Sequence, residues 1–156
     1  AEEAIIDILQ QAYPEYGILA EESGAQGEDA EFQWIIDPLD GTTNYLHGFP
    51  QFSVSIALKQ KNRIISAVIY DPLAQELFTA AKGEGAQLNG KKIRVSGKVG
   101  LKGSLLSTGL PYHDQSYLDT YMKTLTQLMA PAAGIRRPGS AALDLAWLAA
   151  GRTDGF

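Results

Sequence analysis

Residues 34–44 read WIIDPLDGTTN, and this stretch decides how the chain folds. Its first three residues are bulky, apolar and partly β-branched, which favours a buried strand. The proline disfavours helical geometry at the residue before it, so we predict that the strand ends at Asp37-Pro38. Asp40-Gly41 predicts a sharp turn, because glycine accepts backbone angles that other residues avoid. Residues 42–44 (TTN) are all good N-caps, so a short helix is expected to begin there.

Carboxylates occur at two separate points that each follow an apolar run. Asp37 and Asp40 lie three residues apart on the predicted turn, and Glu21-Glu22 follows the apolar residues 18–20. If the two strands are neighbours, Glu21 converges with both aspartates. Three carboxylates within a few ångströms repel one another by several kcal/mol, so such a cluster favours divalent cations. The alternative is that the aspartates only stabilise turns.

Oxygen ligands without Cys or His favour Mg²⁺ or Mn²⁺ over zinc, so the predicted cluster indicates a hard divalent cation. Residues 37–44, together with Glu21-Glu22-Ser23, closely resemble the inositol monophosphatase family. Within that family the pattern is similar to the bacterial members of the extragenic-suppressor type. The likeness extends over nearly the whole chain, from near Glu3 to Gly151.

The resemblance implies a mixed α+β fold, the layered α/β/α arrangement of sugar phosphatases. We expect a single, incomplete domain over residues 1–156. In it, residues 1–97 supply a helix, an antiparallel sheet and the metal site, and residues 98–156 begin a second α/β unit.

The resemblance also assigns roles to individual residues. Mg²⁺ would be held by the side chains of Glu21, Asp37 and Asp40 and by the backbone carbonyl of Leu39. Thr42, with Glu21, would orient the attacking water. The implied catalytic residues are Glu21, Asp37, Asp40 and Thr42. The implied substrate contacts are Leu39, Asp40, Gly41, Thr42, Arg137, Gly139, Ser140 and Ala141, with the amides of Gly41 and Thr42 facing phosphate oxygens.

The reaction implied by the resemblance is Mg²⁺-dependent, lithium-sensitive hydrolysis of inositol monophosphate, or a related sugar phosphate monoester, by a metal-activated water. A homodimer is the implied assembly. Two alternatives stay open: fructose-1,6-bisphosphate hydrolysis on the same scaffold, and a regulatory role as a protein partner in transcription complexes. The sequence lacks the family's acid upstream of Glu21 and its downstream Trp-Asp motif. We therefore expect an internal fragment that is nearly inactive by itself.

Composition excludes several other classes of protein. Lys and Arg total 13 against 18 Asp and Glu, a net charge of −5, which argues against a general nucleic-acid surface. The chain has no cysteine, so a reducing cytoplasm is the natural setting. No apolar run approaches the roughly 18 residues of a membrane span. The acidic, amphipathic start is unlike a signal peptide.

Hydrophobic periodicity predicts the remaining elements. The predicted helices cover residues 4–12, 117–129 and the segment after 140; the predicted strands cover 16–20, 52–60, 64–70, 76–81 and the segment from 105. Asn89-Gly90 predicts a type I′ hairpin turn. Residues 23–31 are expected to form a mobile loop and residues 97–103 a linker.

A few residues invite either a structural or a functional interpretation. Met122 and Met129 are predicted to fill core space, and His47 and His113 to lie in exposed loops. Asp71-Pro72 is predicted to be a turn.

The helix after residue 140 is expected to be capped by Gly139-Ser140, with an apolar face formed by Ala142, Leu145, Ala146, Leu148 and Ala149. The preceding Arg136-Arg137 would serve either as an anion site or as ion-pair partners at a boundary.

Overall fold

The computed structural model describes residues 1–112 and 114–156, which form two compact units, Ala1–Lys92 and Ile93–Phe156. The elements of the first unit are α1 (Glu2–Ala12), β1 (Gly17–Ala20), β2 (Gly24–Gln26), β3 (Phe32–Asp40), α2 (Thr42–Leu46), β4 (Ser53–Gln60), β5 (Arg63–Asp71), β6 (Glu76–Ala81), β7 (Gly85–Leu88) and β8 (Lys91–Lys92). None of the helices in these described ranges is long and apolar enough to cross a membrane.

The strands of the first unit join in one mixed sheet in the order β2-β1-β3-β4-β5-β6-β7-β8. From β3 onward the neighbours are antiparallel, which is the predicted meander. β1 instead lies parallel to β3. Ile18, Ala20 and Ile36 form the buried core of this sheet, and apolar residues of α1 pack against them. The expected mixed α+β class is confirmed.

Several predicted elements are confirmed with small shifts at their ends. α1 and β1 form where the periodicity placed them, and Asn89 and Gly90 both have positive φ (48° and 76°), as a type I′ turn requires. Asp71 accepts hydrogen bonds from the amides of Leu73 and Ala74 at 2.9 Å, which confirms its role in a turn. His47 is exposed in a turn, as predicted.

Three expectations about the first unit are wrong. β3 does not end at Asp37-Pro38 but continues to Asp40, because a proline is tolerated where the ladder is interrupted by a bulge. The residue that caps α2 is Gly41, before the predicted Thr-Thr-Asn triplet. Residues 23–31 are not entirely a loop, since β2 pairs with β1.

The second unit contains β9 (Leu105–Ser107), α3 (Leu118–Met129), β10 (Gly134–Arg136) and α4 (Ala141–Ala149). β9 and β10 are parallel neighbours joined through α3. The strand β10 was not predicted, because three residues carry too little periodicity to be recognised. Residues 97–103 lie outside helices and strands, as expected of a linker.

Two expectations about side chains in the second unit are wrong. Met122 is 46% exposed and Met129 63% exposed, so neither fills a core. The buried residues of α4 are Leu143, Asp144 and Ala146, whereas Leu145 is exposed. The helix is apolar on most sides, so its periodicity did not define one face. The prediction for His113 lies outside the described residues.

Candidate active site

Neighbouring parallel strands bring Glu21 and Asp37 together. In the register of β1 and β3, Ala20 lies beside Ile36, and the amide of Glu21 donates to the carbonyl of Ile36 at 3.1 Å. Because the carboxyl ends of parallel strands meet at one edge of a sheet, the two acids that follow are side by side. The Glu21 carboxyl accordingly lies within hydrogen-bonding reach of the Asp37 carboxyl.

A β-bulge separates Asp37 from Asp40. Asp37 pairs with Ser55 and Asp40 with Ser53, so β3 carries one more residue than β4 over this stretch. Bulges bend a strand and redirect its side chains, and they are common beside active sites. The bulge therefore explains how Asp37 and Asp40, on one strand, both lie at the same edge of the sheet.

Gly41 ends this strand in a conformation that only glycine accepts without strain. Its φ is 97°, and a Cβ placed on it would lie 2.9 Å from the backbone oxygen of Gln51. Asn44 donates to the same oxygen at 2.7 Å, which fastens the turn to the start of β4. The turn after Asp40 is therefore held on both sides by backbone contacts.

The environment of Asp37 favours its protonated form. The pKa of Asp37 is raised from 3.8 to about 6, and burial is the largest cause. The amide of Leu39, which donates to Asp37 Oδ1 at 3.0 Å, opposes this rise. The hydrogen bond and negative charge of Glu21, and the charge of Asp40, also contribute to the raised pKa. Glu21 and Asp40 thus both oppose a negative charge on Asp37.

The donor chemistry fits a divalent cation, since positive charge relieves a carboxylate whose pKa is raised by neighbouring acids, and the site offers only oxygen ligands. The fit is incomplete as the side chains stand. Within residues 1–112 and 114–156, no three His, Cys, Asp or Glu side chains already form a group able to hold a metal ion. Glu21 and Asp37 are in contact, and Asp40 acts on Asp37 through its charge.

Thr42 and Leu39 are linked directly. The Thr42 hydroxyl donates to the Leu39 carbonyl oxygen at 2.9 Å, and both groups belong to the turn around Gly41. A carbonyl oxygen has two lone pairs, so this bond alone does not prevent it from accepting a further partner. α2 has only five residues, which is too short for its dipole to carry the argument for phosphate binding.

A residue that the sequence did not single out also supports this edge. Glu2 in α1 is 4% exposed, and its two carboxylate oxygens accept from the amides of Glu22 and Ser23, each at 2.9 Å. The hydrogen bond from the Glu22 amide is the largest cause of the lowered pKa of Glu2. The sequence does indicate that Glu2 faces the core, because it lies on the same helical face as Ile5, Ile6 and Leu9.

The substrate contacts predicted in the second unit have the following local roles. Ser140 is fully buried and caps α4 by accepting from the amide of Leu143 at 3.4 Å, as predicted. Arg137 stacks over the ring of Tyr112, with 4.9 Å between its guanidinium carbon and the ring centroid. Gly139 has a φ of 101° immediately before the cap, and Ala141 is exposed in the first turn of α4.

The sequence matches known proteins over its full length. The profile described as "Inositol monophosphatase family" matches residues 1–156. A protein of Pseudomonas aeruginosa named Nus factor SuhB is 52% identical over an alignment that covers 100% of this chain and 59% of that protein. An inositol-1-monophosphatase of Mesorhizobium japonicum is 48% identical, with the same two coverages.

The fold matches a solved structure equally well. The crystal structure of the extragenic suppressor protein suhB from Bartonella henselae superposes with a TM-score of 0.93 at 48% identity. The superposition covers 97% of this chain and 58% of that one. The chain therefore spans somewhat more than half the length of the relatives it matches. The extent of the family match, the identities and the superposition all lead to one conclusion: the chain belongs to the inositol monophosphatase family.

Proposed function

We propose that the protein to which this chain belongs is a Mg²⁺-dependent phosphoric monoester hydrolase acting on inositol monophosphate or a related sugar phosphate. The observation that carries this proposal is the contact of Glu21 with Asp37 at the ends of two parallel strands, one bulge away from Asp40. Family membership supports the reaction class.

In the proposed site, Glu21, Asp37 and Asp40 would hold the cation with their carboxylates, and Leu39 would contribute its backbone carbonyl oxygen. When bound there, Mg²⁺ offsets the charge of the phosphate and makes water a better nucleophile at neutral pH. The raised pKa of Asp37 has a direct consequence for this site. Only the ionised carboxylate is a good ligand, so the proton on Asp37 must leave before the cation binds.

Thr42 is proposed to orient the attacking water. Its hydroxyl proton is used in the bond to the Leu39 carbonyl, so its oxygen lone pairs are the groups that face a water. A water that donates one proton to Thr42 has its own lone pair held in a fixed direction. The amides of the turn at Gly41 and Thr42 are the proposed donors to the phosphate oxygens.

Arg137, Gly139, Ser140 and Ala141 keep, as proposals, the substrate contacts that the family resemblance implies for them. Gly139 and Ala141 flank the buried cap Ser140, and Arg137 offers a cation held against Tyr112. For Arg137, an anion contact and an ion pair with a protein partner both stay proposals.

The test is phosphate release by the intact protein from inositol 1-phosphate and, separately, from fructose 1,6-bisphosphate, with and without Mg²⁺. D37N is expected to lower kcat by two orders of magnitude or more, on the order of the losses seen when groups acting in the transition state are removed. D29N is the matched control, because Asp29 is an exposed acid in the preceding loop. Equal activity of D37N and the unsubstituted protein would contradict the proposal.

The name Nus factor, carried by the Pseudomonas relative, supports a second proposal: a role as a protein partner in a transcription complex. The two proposals separate in one experiment. Capture of transcription proteins by the intact protein that persists after D37N and D40N would place the binding role outside the acidic site. Loss of capture together with loss of hydrolysis would make the acidic site common to both roles.

A further inference from the structure

The carboxylate of Glu2 holds the backbone that follows Glu21. Oε2 of Glu2 accepts from the amide of Glu22 and Oε1 accepts from the amide of Ser23, both at 2.9 Å. The two donors are consecutive amides in a turn, and one carboxylate satisfies both of them. Consecutive amides that point the same way form a concave anion site, and here the anion belongs to the chain itself.

The contact with Glu2 holds the backbone on the C-terminal side of Glu21. On the N-terminal side, the amide of Glu21 donates to the carbonyl of Ile36 at 3.1 Å, which continues the register of β1 and β3. The residue itself is exposed, so side-chain packing does little to hold it in place. The direction of the Glu21 carboxyl is therefore set by its backbone, and that backbone is held by β3 and by Glu2.

Helix docking alone does not account for an acid at this position. Ile5, Ile6 and Leu9 already pack α1 against the core of the sheet. Burial of a carboxylate is costly unless charged hydrogen bonds compensate for it, and an apolar residue would pack there without that cost. The acid is matched to the two amides beside Glu21, which is the contact that an apolar residue cannot make.

We propose that Glu2 is a positioning residue for the metal site, which it serves by holding the turn after Glu21 so that the Glu21 carboxyl stays beside Asp37. The inference rests on the proposed function, since it assigns Glu2 a role in the same site. Outer groups that orient metal ligands typically change metal affinity or activity by about 10- to 100-fold when they are removed.

The decisive variant is Glu2→Gln, which keeps the length of the side chain but replaces one accepting oxygen with a donor that faces an amide. Glu3→Gln is the matched control, because Glu3 is the adjacent, exposed acid of the same helix and its substitution removes the same charge. The readout is affinity of the intact protein for Mg²⁺ by calorimetry and for Mn²⁺ by electron paramagnetic resonance. Both are measured at a temperature where circular dichroism shows every variant folded.

We expect Glu2→Gln to weaken affinity for both ions by about 10-fold or more and Glu3→Gln to change it by less than about 2-fold. If the unsubstituted protein and Glu2→Gln bind Mg²⁺ equally, the role of Glu2 is overturned while the proposed function stands. If the unsubstituted protein binds neither ion, the proposed function is overturned and the role of Glu2 with it.

A second measurement needs no variant and covers the case in which Glu2→Gln does not fold. Amide hydrogen exchange is followed in the unsubstituted protein at Glu22 and Ser23, both of which are exposed residues of a turn. Held by Glu2, their amides should exchange at least about 10-fold more slowly than unbonded amides of a surface loop. Exchange as fast as in an open loop would overturn the proposal.

Discussion

Replacement of Gly41 by alanine should destabilise the first unit by an amount that follows from two separate contacts. The φ of 97° is left-handed, which costs an L-residue about 1–2 kcal/mol. The new Cβ would also lie 2.9 Å from the oxygen of Gln51 and 3.3 Å from the Cα of Phe52, both backbone atoms. Overpacking of this kind costs about 1–3 kcal/mol. The expected total is about 2–5 kcal/mol.

Gly48→Ala is the matched control for this prediction. Gly48 also has a positive φ, 67°, but a Cβ there would meet no atom within 4 Å. Its cost should therefore be the conformational part alone, about 1–2 kcal/mol. The difference between the two variants isolates the contact with residues 51–52.

Urea unfolding of the intact protein, followed by circular dichroism, gives both free energies of unfolding. A melting experiment should show the same order, with about 2–4 °C lost per kcal/mol in a protein of this size class. If Gly41→Ala were no less stable than Gly48→Ala, the close approach of the turn to β4 would not exist in solution. The turn after Asp40 would then not be held rigidly against β4.

Four further perturbations have defined outcomes. The pKa of Asp37 is raised to about 6, so its stabilising contribution is complete below its ordinary pKa of 3.8 and is lost as the pH rises through 6. Asp37→Asn in the presence of a chelator should therefore gain stability relative to the unsubstituted protein as the pH rises from about 4 to about 6 and keep that gain at higher pH, and a stability difference that stays constant from about pH 4 to about pH 6 would contradict this. Mg²⁺ affinity of the unsubstituted protein, measured by calorimetry, should fall below about pH 6. Asp71→Ala leaves the amides of Leu73 and Ala74 without their acceptor and should cost about 1–3 kcal/mol in urea unfolding; unchanged Mg²⁺ affinity is the control. Ser140→Ala removes the α4 cap and should lower the free energy of unfolding by about 1 kcal/mol, and a variant as stable as the parent would show that the cap is dispensable.

The sequence predicted those features that depend on local pattern. The meander followed from period-two alternation and strong turn residues, and Asn89-Gly90 was recognised because few other pairs accept two positive φ angles. The sequence predicted that Glu21 and Asp37 meet if the strands before them are neighbours. The parallel pairing of β1 with β3 fulfils that condition.

Features that depend on tertiary context were not predictable in this way. The continuation of β3 through Pro38 depends on a bulge, which is defined by the partner strand and leaves no local pattern. Met122 and Met129 follow helical spacing on a helix that exposes them, since periodicity does not state how much of an apolar face is covered. The position of Glu2 on the apolar face of α1 follows from its spacing, but its two amide donors belong to a turn about twenty residues further along the chain and leave no local pattern.

The parallel pairing of β1 with β3 also bears on the order in which the first unit is completed. Every strand from β4 to β8 pairs antiparallel with the strand before it, so each of these pairings can grow outward from the connection that joins its two strands. β1 reaches β3 only across the intervening hairpin with β2, and in a direction that no tight turn can supply. Molecules in which the ladder has formed but this closure has not would keep Glu21 apart from Asp37. Contact between the two acids therefore marks molecules in which the first unit is completely folded. An ion that binds at that edge would stabilise those molecules.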